Sequence, residues 1–118
     1  MTSQGTPQGR FQRAIRDRDL WHASMAALEL EQVSLGNALA LTLLIAEVED
    51  DRWPRAAARW LGRFIVESPA MTIGEAGLAA AAIQELAGRE SRLAAETLRQ
   101  LASTHGHAMV AALLESRR

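Results

Sequence analysis

The chain contains no cysteine. That excludes a disulfide framework, thiolate catalysis and any cysteine-ligated zinc site. Lysine is absent too, so all 13 basic residues are arginine. Schiff-base chemistry and the lysine of a phosphate-binding P-loop are excluded with it. Tyrosine is missing, aromatics are few, and β-branched residues are scarce, which leaves little support for strands. The most apolar run, "ALALTLLIA" at 38–46, is too short to span a bilayer. The opening "MTSQGTPQGR" lacks the apolar segment of a secretory signal. Charge of either sign is also lacking in excess: the formal net charge is −1. A dedicated nucleic-acid binder is usually more basic, although a local patch can still act. These absences predict a soluble, cytoplasmic protein.

What is present is alanine and leucine. A hydrophobic fraction of 48% over 118 residues is too apolar for a disordered chain and enough for one domain with its own core. Ala and Leu favour helix, and the periodicity predicts an all-α fold of six to seven helices in stacked antiparallel hairpins, either α-solenoid-like or an irregular helical bundle. Residues 1–9, of Gly, Pro, Gln, Ser and Thr character, read as a flexible leader, followed by a single helical domain over 10–118. A first helix is predicted over about 10–17. Asp19 suits the cap of a second, about 20–31. That helix has two apolar sectors, Trp21/Met25/Leu28 and Ala23/Ala26/Ala27/Leu30, as expected of a helix packed between neighbours. Ser34 suits the cap of a third helix, about 35–48, which apolar residues surround almost completely and which should be central. A fourth runs over about 53–67, with Asp50 or Asp51 as cap and Pro54 in its first turn; Ser68-Pro69 stops it. "TIGE" at 72–75 has the form of a capping box, and Gly88 suits the C-cap of the fifth helix. A sixth, about 90–103, points Leu93, Ala94, Leu98 and Leu101 inward. His105-Gly106 breaks the chain before a short last helix.

"SLGNA" at 34–38 and "TIGEA" at 72–76 share a pattern: hydroxyl cap, apolar residue, glycine, polar residue, alanine. At the same offset Ala56-Ala57 meets Ala94-Ala95 and Trp60 meets Leu98. Helix pairs recurring at this spacing suggest hairpin repeats at 34–67 and 72–104. The chain resembles short HEAT- or armadillo-like helical repeat proteins over about 20–104, and it is similar in composition to small helical proteins of GC-rich bacteria without an assigned activity. The resemblance implies interaction surfaces rather than catalysis, and it carries over no functional residue.

The phrase "RWPRAAARWLGRF" at 52–64 mixes arginines with aromatics. On a helical wheel Trp53, Ala57, Trp60, Leu61 and Phe64 share one face, while Arg52, Arg55, Arg59 and Arg63 line up beside it within a sector of roughly 80°. The aromatics are therefore core residues and the arginines an edge. Charge runs on helix faces are usually solvated or ion-paired, and Glu47, Glu49, Asp50 and Asp51 lie just upstream to pair with it. Its second candidate role is a docking edge for an acidic protein partner, since arginine's planar fork matches carboxylates. Its third is phosphate binding to nucleic acid.

Other groups carry less. His105 and His107 have the spacing to share a metal, but without cysteine a zinc site would need carboxylates to complete it, and an exposed interhelical turn explains them more simply. The acids at 47–51 lack the spaced ligands of a calcium loop. Ser91 and Ser103 have no activating base at a recognisable spacing. Met25, Met71 and Met109 suit either a promiscuous groove or core filler. The small-sided fifth helix suits a tight contact within the chain or a homodimer seam. The sequence thus predicts a non-catalytic protein–protein interaction module or adaptor, with no catalytic residue, cofactor or metal. Arg52, Arg55, Arg59 and Arg63 are its candidate partner-binding edge, with Arg10 and Arg13 as weaker companions. The alternatives are a nucleic-acid-associated regulator using the same edge, and a small-ligand binder with a pocket near Trp21 or Trp60.

Overall fold

The structure, a computed structural model, describes residues 5–89 and 91–117. They form seven helices and no strand: α1 (Pro7–Arg16), α2 (Leu20–Glu29), α3 (Leu35–Glu47), α4 (Trp53–Val66), α5 (Ile73–Glu85), α6 (Ser91–Thr104) and α7 (Ala108–Glu115). Side-chain oxygens start four of them. Asp19 accepts from the His22 N–H and Ser34 from the Asn37 N–H, and Thr72 and Glu75 bond each other's backbone in a capping box. Thr6 caps α1 by accepting from Gly9, with Pro7 in the first helical position. That start lies inside the segment expected to be a flexible leader: Pro7 and Gly9 are helical because the Thr-Pro pair is itself a helix start. Residues 1–4 of the expected leader fall outside the described residues.

Three helix ends share one geometry. After α1, α3 and α6 the chain turns through Arg18 (φ 58°), Glu49 (φ 56°) and Gly106 (φ 81°). In each turn the next N–H reaches back to the helix: Asp19 to Ala14 O, Asp50 to Ile45 O, and His107 to Ala102 O. This is the left-handed Schellman end, normally made by glycine. Only Gly106 announces it in the sequence. The C-cap of α5 is Leu86 in right-handed helical geometry rather than a turn built on Gly88.

α3 packs on α4, α4 on α5, α5 on α6, α6 on α7, and α7 returns to α3. This closed circuit surrounds the larger core, which includes Leu39, Leu43, Trp60, Phe64, Ile83, Leu98 and Leu114. Trp60 stacks on Phe64 with centroids 5.0 Å apart, and its indole N–H donates to the Leu35 carbonyl at 3.0 Å, so its polar atom is satisfied inside the core. α1 and α2 form a separate hairpin with a smaller core of Phe11, Ala14, Ala23 and Ala26, which meets α3 at Leu44. α3 touches α1, α2, α4 and α7 and is the central helix its apolar girdle predicts.

The internal similarity has a structural counterpart of limited extent. α5 begins and ends 38 residues after α3, and α6 does the same after α4. Ala57, Trp60 and Phe64 of α4 and their counterparts Ala95, Leu98 and Ala102 of α6 are all buried. Yet among the described residues α3 does not pack on α5, nor α4 on α6, as successive units of a solenoid would. Of the two expected architectures, the arrangement is the irregular helical bundle.

Two expected packings differ. Trp21, Met25 and Leu28 face away from both cores, Leu28 being 79% exposed, so α2 is buried on one side only. Leu93 is 65% exposed; it sits beside Ala94, which takes the inward position.

Candidate partner-binding edge

Pro54 and the aspartates before it fix where α4 begins. The Asp50 carboxylate accepts the Arg52 backbone N–H at 2.9 Å, which closes the turn two residues ahead of the helix. The first-turn cap expected from Asp50 or Asp51 is not formed: Arg52 occupies the N-cap position without a side-chain cap. The same Asp50 carboxylate takes the Arg52 guanidinium through two bonds of 2.9 Å. That guanidinium holds the Asp50 carboxyl down at a pKa of about 2, helped by the Arg52 backbone N–H. Asp50 in turn raises the Arg52 guanidinium above its ordinary value.

The four arginines expected to act together therefore divide. Arg52 is committed to Asp50, and Arg63 to Glu67 one turn further along α4. Arg55 and Arg59 are exposed, and no carboxylate among the described residues pairs with either. The upstream acids expected to fold against the edge mostly do not. Glu47 is half-buried and shared by Arg18 at 3.2 Å and Arg117 at 2.7 Å, so it ties the first hairpin and the last turn to α3. Of these acids only Asp50 forms an ion pair with the edge among the described residues, and Asp51 adds its charge near Arg52.

The edge borders a groove of about 350 Å³ between α2, α3 and α4. Ala38, Leu41 and Ile45 of α3 and Ala56 and Trp60 of α4 give it an apolar lining, with Ala27 and Val33 at the α2 side and Arg59 and Arg63 at the α4 side. Its one hydroxyl, on Thr42, is spent on the Ala38 carbonyl at 2.7 Å. A pocket near Trp60 is among the expectations; that it runs between α2, α3 and α4 and borders the arginine edge is what sequence reasoning missed. It arises from small side chains on facing helices, and a wheel for each helix alone does not reveal which small residues will face each other. Trp21 does not line this groove.

Arg10 and Arg13 belong elsewhere. They line a separate concavity of about 390 Å³ between α1 and α2, with Asp17, Asp19, His22 and Glu29. There Arg10 pairs with Glu29 at 2.9 Å and His22 with Asp19 at 2.6 Å, so most of the charge is internally balanced. They are not companions of the α4 edge.

The histidines near α7 also separate. The His107 Nε2 lies 2.9 Å from the Ser68 hydroxyl, and its ring packs on Phe64. His105, with its side chain 6% exposed, places Nε2 3.2 Å from a Glu75 carboxylate oxygen, too far off axis for a hydrogen bond. The Thr72 N–H holds the Glu75 carboxyl below its ordinary range, and His105 adds to this. The two imidazoles thus serve different partners, and no group of three or more His, Asp or Glu able to hold a metal occurs among the described residues. Ser68 and His107 have the spacing of a nucleophile and its base, and sequence reasoning missed the pair because 39 residues separate them. Ser68 is only 2% exposed and has no face open to a substrate. The contact joins the α4–α5 turn to the start of α7.

No family model matches the chain, and neither the curated proteins nor the solved structures contain a significant match. Among the described residues no helix is long and apolar enough to cross a membrane.

Proposed function

We propose that the protein is a non-catalytic interaction module or adaptor that receives an acidic protein partner on the exposed edge of α4. The carrying observation is that Arg59 stands exposed at the rim of an apolar groove, without a carboxylate among the described residues, and that Arg55, equally exposed and unpaired there, lies one turn before it on α4. Exposed ion pairs add little to a fold, so these two arginines do little for stability, whereas an arginine edge beside apolar surface has the composition of a binding hot spot. The small-ligand alternative has less in its favour. A ligand pocket needs convergent polar groups to orient its occupant, and here the Trp60 N–H, the Thr42 hydroxyl and the Arg63 guanidinium are already used within the protein, which leaves Arg59 alone on one rim.

The test is retention of a specific protein by the immobilised chain, compared with Arg55→Glu/Arg59→Glu, a variant that breaks no ion pair among the described residues. The partner should be retained by the wild type and lost by a variant of unchanged circular dichroism. Equal recovery by both removes the edge from function. Retention of nucleic acid, with a binding constant that falls steeply with salt, favours the regulator reading instead.

A further inference from the structure

We infer that the occupant of the α2–α3–α4 groove is a single amphipathic helix of a partner protein, with apolar anchors on one stripe and carboxylates along its flank. The inference rests on the proposed docking role of α4 and adds the shape and chemistry of what docks.

Shape comes first. Peptides bind folded domains chiefly by adding a strand to a sheet edge, laying a helix in a groove, or presenting a polyproline segment to an aromatic-lined surface. Every regular element among the described residues is a helix, so there is no sheet edge to extend. Trp60, the one aromatic lining the groove, is 2% exposed and offers no open face to a proline ridge. What remains is a furrow between α2 and the α3–α4 pair, floored by Ala38 and Leu41 of α3 and Ala56 of α4, with Ala27 and Val33 at the α2 side. Alanines let a third helix approach closely enough to seat its ridge there. A volume of about 350 Å³ holds a few anchor side chains rather than a helix backbone.

Charge fixes the flank. Arg55 and Arg59, the two without a carboxylate among the described residues, are four residues apart on α4 and so about 6 Å apart along its axis; Arg63 continues the row but is held by Glu67. Carboxylates one turn apart on an opposing helix repeat at the same interval. Polynucleotides fit less well: Trp60, the aromatic lining the groove, is buried and offers bases no face to stack on, and Asp50 and Glu67 place carboxylates at both ends of the arginine row. A second copy fits less well too. The chain's own exposed apolar ridge on α2, Trp21–Met25–Leu28, has its neighbouring acids Asp19 and Glu29 already paired with His22 and Arg10.

The experiment is selection of helical peptides from a display library randomised at surface positions, panned against the full chain, with affinities of enriched peptides read by fluorescence anisotropy. The expected winners carry apolar residues at i, i+3 or i+4 and i+7 beside a row of Asp or Glu. Arg55→Glu/Arg59→Glu should weaken them at least about tenfold. Ala56→Leu, which narrows the groove and keeps every charge, should weaken them to a similar degree. Amide shift perturbations should fall on α3 and α4 rather than on the α2 ridge, a readout that needs no variant to fold. Sensitivity to the arginines without sensitivity to Ala56→Leu, or perturbations away from the groove, would sink the helix-in-groove inference and leave the docking edge standing. Insensitivity to both removes the two together. Enrichment of basic peptides or of none, saturable binding of a duplex oligonucleotide instead, or self-association of the chain through this face each overturns the inference.

Discussion

At the residue scale, identical neighbours in sequence do different work. Gly36 and Gly74 hold the same place in the two similar segments. A Cβ on Gly36 would stand 3.3 Å from the Met109 Cβ, so α3 and α7 approach closely because that position lacks a side chain. At Gly74 the nearest atom is the Thr72 hydroxyl at 3.9 Å, an ordinary contact. Gly36→Val is expected to destabilise by about 1–3 kcal/mol through overpacking. Gly74→Ala is expected to stabilise by about 0.4–1 kcal/mol, because alanine has less freedom to lose on folding. Urea midpoints of the two variants check this, and equal shifts of the same sign would show that α7 does not close on α3 as described. Asp50 provides a second test. Its folded pKa, about 2, lies below the ordinary carboxylate value, so its contribution is complete above pH 5 and is lost as pH falls through 4 toward 2. Asp50→Asn should therefore lower stability at neutral pH and converge with the wild type near pH 2. A constant difference across that range would mean that the effect does not come from the charge.

Helix starts and helix ends were unequally legible. Asp19, Ser34, Thr72 and Glu75 announce their helices because a cap is a short polar side chain at a fixed offset from the N–H it accepts. The ends at Arg18 and Glu49 stayed hidden, since a left-handed residue is recognisable in sequence only when it is glycine. Glu49 is also an acid at the negative end of α3, which is unfavourable against the helix dipole. Glu49→Gly should relieve both strains and raise stability by about 1 kcal/mol. Arg18→Gly should gain less, because it also removes the Arg18–Glu47 pair. Thermal melts of the two variants separate these outcomes; a destabilised Glu49→Gly would show that the turn after α3 is not left-handed in solution. The faces of α2 mark a second limit. Periodicity identified two apolar sectors, but which one finds a neighbour depends on where α3 lies, and that is a property of the whole chain. The α4 edge was legible in the same partial sense. The wheel placed Arg52, Arg55, Arg59 and Arg63 on one face, and the pairs at its ends, Asp50–Arg52 and Arg63–Glu67, are local contacts two and four residues apart, while the allotment of Glu47 to Arg18 and Arg117 was decided by tertiary packing.

For the molecule as a whole, the main consequence is two cores of unequal size joined by few links. The α1–α2 hairpin holds to the rest through Leu44, through the bonds of Gln8 and Gln12 to the buried Asn37, and through Arg18 on Glu47. The closed circuit from α3 to α7 shares a far larger apolar cluster. Regions with fewer buried contacts open at lower free energy than the global unfolding reaction. Native-state hydrogen exchange should accordingly show amides of α1 and α2 opening before those of α4 and α6. Leu44 is 2% exposed and packs in the smaller core, so Leu44→Ala should cost about 2–5 kcal/mol, first as lost protection in α1 and α2. Phe64→Ala, in the larger core, should lower protection in α4 and α6 together. Uniform exchange across all helices in the wild type would mean that the two cores unfold as one. In that case the groove, walled by α2 on one side and α3–α4 on the other, would be as rigid as the bundle itself. If the hairpin does open first, one wall of the groove moves while Arg55 and Arg59 stay fixed on α4, and the docking surface can widen to admit a helix without disturbing the larger core.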